Sequence, residues 1–219
     1  MAGTENPSER KRAIRARLRE RRRAIDPARA SAAARSAGRH LDLRGIATLL
    51  GYLATDGEMP VDGLLGAALE AGATILLPRM RGDGGIDLVV LPSTTAASDL
   101  SELAAGRTPP GFTRGRGGIA EPAGPARDPA AASRPAMALV PAVALDLSGN
   151  RLGRGGGAYD RVLGRLRELG WRTIGVCHAA HLEEDLPTEP HDVKVDAVLT
   201  EDALREVAVE GSHPRGPKH

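Results

Sequence analysis

Apolar residues along this chain fall into two patterns, thin stripes at helical spacing and short unbroken runs, and the two take turns. Ile14, Leu18 and Ile25 form the first stripe, on a basic segment that Ser8 can cap. Asp26-Pro27 starts a second helix, an acid at the cap and proline at the first helical position, which should last to about Leu41. IATLLGYLA (46–54) is a continuous apolar run of strand length. Pro60 opens a helix through Leu64, Leu65, Ala68 and Leu69, closed by Gly72. ATILLP (73–78) and IDLVVL (86–91) read as two more buried strands. Strand, helix, strand is a βαβ unit, which implies parallel strands covered by helices.

Residues 92–135 break the rhythm. Ser, Thr, Pro, Gly and Ala dominate, with one helical turn expected at 98–105, so part of the segment is expected to be functional or mobile. MALVPAVAL (137–145) resumes as a strand. Tyr159, Val162, Leu163, Leu166 and Leu169 then recur at helical spacing until Gly170. TIGVCHAAH (173–181) is another buried strand, and DAVLT (196–200) the last. These elements predict a single α/β domain over residues 9–204, a mostly parallel central sheet with helices on both faces. Residues 1–8 and 205–219 are expected to be flexible termini.

Composition narrows the function classes. With 41% hydrophobic residues the chain is globular, and with 2% aromatics its core must rest on Leu, Val, Ile and Ala. A net charge of +2 gives no whole-protein field for nucleic acid, although nine of the residues from Arg10 to Arg23 are basic and Glu20 alone is acidic. The lone Cys177 excludes an intramolecular disulfide and fits a reducing compartment. No apolar run approaches membrane-span length and nothing resembles a signal peptide, so a cytoplasmic protein without a membrane partner is expected, and a monomer.

The candidate chemistry lies in NRLGRGGGAYDR (150–161), between a buried strand and a helix starting near Ala158. Successive glycines let the backbone take positive φ and aim several N–H groups at one point. The helix N-terminus behind them adds its own unpaired N–H groups and dipole. Arg151, Arg154 and Arg161 supply guanidinium donors. Together they describe a phosphate site, although the stretch has neither a GK[ST] sequence nor G-x-G-x-x-G spacing. A glycine-rich connection with solvated arginines is the plainer alternative.

GNRLGRGGGAYDR, with LVPAVALDLSGN before it, resembles the signature of the 5-formyltetrahydrofolate cyclo-ligases (methenyltetrahydrofolate synthetases). PHDVKVDAVLTED (190–202) is similar to that family's C-terminal motif. KRAIR (11–15), YLATDGE (52–58), LPRM (77–80) and GIAEPAG (118–124) follow the family's order as well. The resemblance implies conversion of 5-formyltetrahydrofolate to 5,10-methenyltetrahydrofolate, with ATP as co-substrate and Mg²⁺ as cofactor, and with folate and ATP as small-molecule partners. It implies ATP contacts from Lys11, Arg15, Arg151, Leu152, Gly153, Arg154, Gly155, Gly156, Gly157, Ala158 and Tyr159. Leu53 and Glu58 would meet the folate, and Asp160 and Asp196 would hold Mg²⁺. No protein nucleophile is implied, because N10 of the substrate attacks. Many members carry Lys-Gly-Tyr-Tyr where this chain has Gly156-Gly157-Ala158-Tyr159.

Each residue also has a plainer reading. Lys11 and Arg15, at i and i+4, could be part of a solvated basic face, which is the expectation for Arg17 to Arg23. Asp160 could simply favour a helix N-terminus, Asp196 a strand edge, Leu53 the core and Glu58 a surface loop. His178 and His181 are spaced for a helix, whereas they fall at a strand end, and no third zinc ligand is fixed. Two other function classes compete: a nucleic-acid binder using residues 10–23, and a relative that binds nucleotide or folate without turnover. The first lacks aromatic platforms, so no nucleic-acid partner is expected.

Overall fold

The computed structural model describes residues 6–92, 94–115 and 119–208. In chain order its helices are α1 (Pro7–Arg23), α2 (Pro27–Gly38), α3 (Asp62–Glu70), α4 (Ala97–Ala104) and α5 (Ala158–Glu168). The strands are β1 (Thr48–Leu50), β2 (Thr74–Met80), β3 (Ile86–Val90), β4 (Phe112–Arg114), β5 (Ala120–Pro122), β6 (Ala136–Pro141), β7 (Ala144–Leu145), β8 (Arg151–Leu152), β9 (Arg172–Val176), β10 (Ala197–Leu199) and β11 (Leu204–Glu206). Seven of them form one sheet in the order β11-β10-β9-β6-β1-β2-β3. β10, β9, β6, β1 and β2 run parallel, and β3 and β11 are antiparallel edges.

Alternate residues of each strand leave by opposite faces. Leu49, Ile75 and Met137 pack under α2, α3 and α4, through Ala37, Leu64, Leu65 and Leu100. Their neighbours Leu50, Leu76 and Ala138 pack under α5, through Leu163 and Leu166. The expected α/β sheet with helices on both faces is therefore what forms. α1 takes a different place: Ile14 and Leu18 pack with Ala144, Leu152 and Leu186, over the β7–β8 hairpin.

Several elements differ from the sequence pattern. Asn6, not Ser8, caps α1: its side chain accepts from the Ser8 N–H, with Pro7 at the first helical position. The run 46–54 pairs as a strand only at Thr48–Leu50, because Asp56 (φ 50°) and Gly57 (φ 71°) turn the chain sharply beyond it. α3 begins at Asp62, two residues after Pro60. β3 returns antiparallel to β2 in a hairpin. The run 137–145 divides after Pro141, and 173–181 ends as strand at Val176, with a 3₁₀ turn at Ala179–His181. Within 92–135 lie α4, the β4–β5 hairpin and a 3₁₀ turn at Pro129–Ala131.

β11 follows the strand expected to be last. The order thus runs from Pro7 to Glu206, and residues 1–5 and 209–219, within the termini expected to be flexible, lie outside the described residues, as does Gly118 of the GIAEPAG motif.

Candidate functional site

From β1 the chain moves sideways to β2 and β3, then returns to place β6 on the other side of β1. The C-terminal ends of β1 and β6 therefore bound a topological switch point, where α/β sheets open a crevice. A cavity of about 540 Å³ lies there. Tyr52, Leu53, Thr55 and Glu58 reach it from beyond β1, Pro78 and Met80 from the end of β2, and Ala142 and Val143 from beyond β6.

The glycine loop forms one wall. β7 and β8 make a hairpin whose turn is fixed by the buried Asp146. Its carboxylate accepts from the N–H groups of Ser148 (3.0 Å), Asn150 (2.9 Å) and Leu186 (3.0 Å) and from Asn150 Nδ2 (2.8 Å). Gly149 completes the turn at φ 81°. β8 buries Leu152 and aims Arg151 inward, where its guanidinium pairs with Asp160 at 2.6 Å and lies 5.9 Å from the Tyr159 ring centroid. Gly155 (φ 105°) and Gly157 (φ 61°) adopt left-handed backbone, and Gly157 caps α5, so that the first N–H groups of that helix border the cavity. Arg151, Leu152, Gly153, Arg154, Gly155, Gly156, Gly157, Ala158, Tyr159 and Asp160 all line it.

α1 supplies a second wall because its apolar side grips the same hairpin. Lys11 and Arg15 thereby face the cavity. Arg15 Nε donates to the Gly153 carbonyl at 2.8 Å. The buried Lys11 Nζ lies 2.6 Å from both Glu189 Oε2 and Asp192 Oδ2. Burial opposes its charge, but the hydrogen bonds to Asp192 and Glu189 outweigh that and hold its pKa above the ordinary 10.5.

Glu58 ends the third wall. Thr55 N–H donates to Oε2 at 3.1 Å, and the Arg154 guanidinium reaches Oε1 at 3.1 Å. Arg154 also donates to the Thr55 carbonyl (3.1 Å) and hydroxyl, and pairs with Asp56 at 3.3 Å. Burial pushes the Glu58 pKa up, against the pull of Arg154 and Arg22. Leu53 lies beside it, half-buried, with Met80 and Ile119 as exposed apolar neighbours at the rim.

Three findings correct or extend the sequence reading. Asp196 is not brought to the cavity: it precedes β10, at the N-terminal end of the parallel strands. Its carboxylate accepts from Thr173 N–H (2.7 Å) and hydroxyl (2.8 Å) on β9. Asp192, four residues earlier, does line the cavity, and with Glu189 and His191 it presents ligand atoms within 4.8 Å of one another. Arg22, expected on a solvated face, is buried; it donates to the Thr55 carbonyl at 3.1 Å and lies 3.8 Å from Glu58. Its spacing from Lys11, Ile14 and Leu18 is the helical signal that marks it. His178 and His181 are buried edge to face, 5.7 Å apart. Burial lowers both, His181 to about 4, so they stay neutral, and among the described residues they join no metal-competent cluster.

A switch-point cavity with basic groups and backbone N–H donors on one side, and an apolar wall ending in a carboxylate on the other, is the kind of crevice in which α/β proteins bind small ligands. A sequence profile of the 5-formyltetrahydrofolate cyclo-ligase family matches residues 7–201. The chain belongs to that family of enzymes. It is 34% identical over 159 residues to the 5-formyltetrahydrofolate cyclo-ligase of Mycolicibacterium smegmatis, covering 70% of this chain and 73% of that one. It is 30% identical over 187 residues to the enzyme of the same name from Escherichia coli, covering 84% and 96%. The fold is that of the solved 5,10-methenyltetrahydrofolate synthetases of Aquifex aeolicus, with TM-score 0.70 at 24% identity over 94% and 98% of the two chains. The Mycoplasma pneumoniae structure gives 0.63 at 19% over 87% and 98%.

Proposed function

We propose that this chain converts 5-formyltetrahydrofolate to 5,10-methenyltetrahydrofolate, consuming ATP in the presence of Mg²⁺ and releasing ADP and phosphate. The observation that carries the reading is the union of Glu58, Lys11, Arg15 and the glycine loop in one cavity. The formyl group on N5 is an amide-like carbon, a weak electrophile with no usable leaving group. Transfer of the ATP γ-phosphoryl to the formyl oxygen makes that carbon electrophilic. N10 of the same folate attacks it, the five-membered ring closes, and the phosphate leaves as the C–O bond breaks, with the N10 proton balanced as hydrogen phosphate.

The nucleophile belongs to the substrate, so the protein's work is positioning and charge neutralisation. In this reading the N–H groups around Gly155–Gly157, with Arg15, Arg151 and Arg154, hold the triphosphate. Glu58 accepts hydrogen bonds from the pterin amino and ring N–H groups, and Leu53 lies against the ring. Asp160, and on the facing wall Asp192 with Glu189 beside it, offer the hard oxygen donors that Mg²⁺ prefers; Asp192 takes the part first expected of Asp196. The donor set fits a cation, since Lys11 Nζ already sits between Glu189 and Asp192. When bound, Mg²⁺ supplies further neutralisation of phosphate charge. Lys11, released from its two acids, is then free for the phosphates.

Purified protein incubated with ATP, Mg²⁺ and 5-formyltetrahydrofolate should accumulate the near-ultraviolet absorbance of the methenyl product, and none when any component is omitted. Glu58→Ala should raise the folate KM by about tenfold or more, the loss of a charged hydrogen bond. Tight binding of ATP or folate by folded protein without product would replace this reading with that of a non-catalytic relative.

A further inference from the structure

A second concavity, of about 260 Å³, opens beside the main one, and Ile86 lines both. Its walls are β3, the segment 126–129 and the first turns of α5. That segment is tied down by a hydrogen bond from Arg127 N–H to the Leu88 carbonyl (2.7 Å) and a bridge between Val89 and Ala126. Arg81, Arg127, Arg161 and Arg165 converge on the groove from three separate parts of the chain, with Asp87 as the single acid among the lining residues.

That acid is already engaged, by Arg79 at 3.0 Å and Arg81 at 3.9 Å, and Arg81 also pairs with Asp83, outside the groove, at 3.0 Å. Arg165 has an exposed partner, Glu168, at 3.7 Å. Arg161 donates to the Gly84 carbonyl at 2.6 Å, and among the described residues neither Arg161 nor Arg127 is paired with an acid. The groove thus carries uncompensated positive charge, ready for an anion. Its position says which anion. It adjoins the main cavity at Ile86, which lines both, and Met80 and Ile119 add apolar side chains to the wall of the main cavity.

From this we infer that the groove receives the carboxylates at the glutamyl end of the folate, an inference that rests on the folate reading above. A ligand with a hydrogen-bonding ring at Glu58 and an aromatic middle on the apolar rim would leave its glutamate at Ile86. There the guanidinium groups of Arg127 and Arg165 meet it.

The test pairs protein and ligand changes. 5-Formyltetrahydrofolate is compared with its ethylamide analogue, in which the glutamate is replaced by ethylamine and both carboxylates are gone. For the unaltered protein the analogue's KM should be raised about tenfold, with kcat unchanged. Arg127→Ala and Arg165→Ala should each raise the KM for the parent folate about fivefold, as expected for half-exposed ion pairs, while leaving the analogue's KM, the ATP KM and kcat unchanged. Equal use of both folates, or variants that weaken both equally or weaken ATP instead, would overturn the inference. Calorimetric titration of the two folates gives the same comparison without turnover: equal binding overturns this inference alone, and binding of neither overturns the folate reading with it.

Discussion

A Cβ placed on Gly156, which stands where the family signature it resembles has lysine, meets nothing within 4 Å. The first carbon of a side chain therefore fits there without a clash. Gly156→Lys should lower the ATP KM about fivefold, from one added charge-assisted contact, with the fold unchanged; steady-state kinetics at varied ATP would check it. The glycine loop was legible from its own chemistry, whereas Lys11, Arg15, Leu53, Glu58 and Asp160 stood out only through the family resemblance; all of them line the cavity. Asp192 lies inside the PHDVKVDAVLTED motif, but its pairing with Lys11, like that of Glu189, was not legible, because it arises only through tertiary packing across 181 and 178 positions of sequence. No periodicity carries such a pairing.

At the scale of elements, the β7–β8 hairpin positions most of the site. It supports the glycine loop at one end and α1, with Lys11 and Arg15, on its flank. Its turn depends on Asp146, whose removal would leave three backbone N–H groups without their partner. Asp146→Ala should cost about 3 kcal/mol, read as a lower urea midpoint, and should weaken ATP binding through the displaced loop. The hairpin also marks where pattern reading stops. MALVPAVAL is apolar throughout, so nothing in its hydrophobicity distinguishes the strand Ala136–Pro141 from the bend that follows. Capping tells the opposite story: Asn6-Pro7 follows the same logic as Asp26-Pro27, and Ser8 competed with it only as an equally good capping residue type.

For the molecule as a whole, the two ends of the sheet have separate duties. Asp192 lies at the end where the parallel strands finish and the cavity opens, whereas Asp196 joins β9 to β10 at the other. The segment between them runs from one end to the other, which is why two acids of one short motif differ in role. Asp192→Asn should raise the Mg²⁺ concentration needed for half-maximal activity severalfold, the loss of one charged oxygen donor, and should also lower stability, because it leaves the buried Lys11 with one acid in place of two. Asp196→Asn should leave the Mg²⁺ requirement alone and lower the melting temperature. The fold class was readable from strand and helix order. The direction of β3 and the presence of β11 were not, since hydrophobic runs carry no sense of direction.

Arg154 belongs to the glycine loop, yet its guanidinium is fastened to Thr55, Asp56 and Glu58 across the cavity. A protease that cleaves after arginine must draw that side chain into its own pocket and straighten the residues around it. This fastening resists both. On the function proposed above, a folate taking up Glu58 would loosen the arginine by removing one of its anchors, and a triphosphate in the loop would hold it again. Trypsin nicking at Arg154 should therefore be slow without ligands, faster with folate alone and slow once more when nucleotide joins it, so that gel bands report which half of the site is filled.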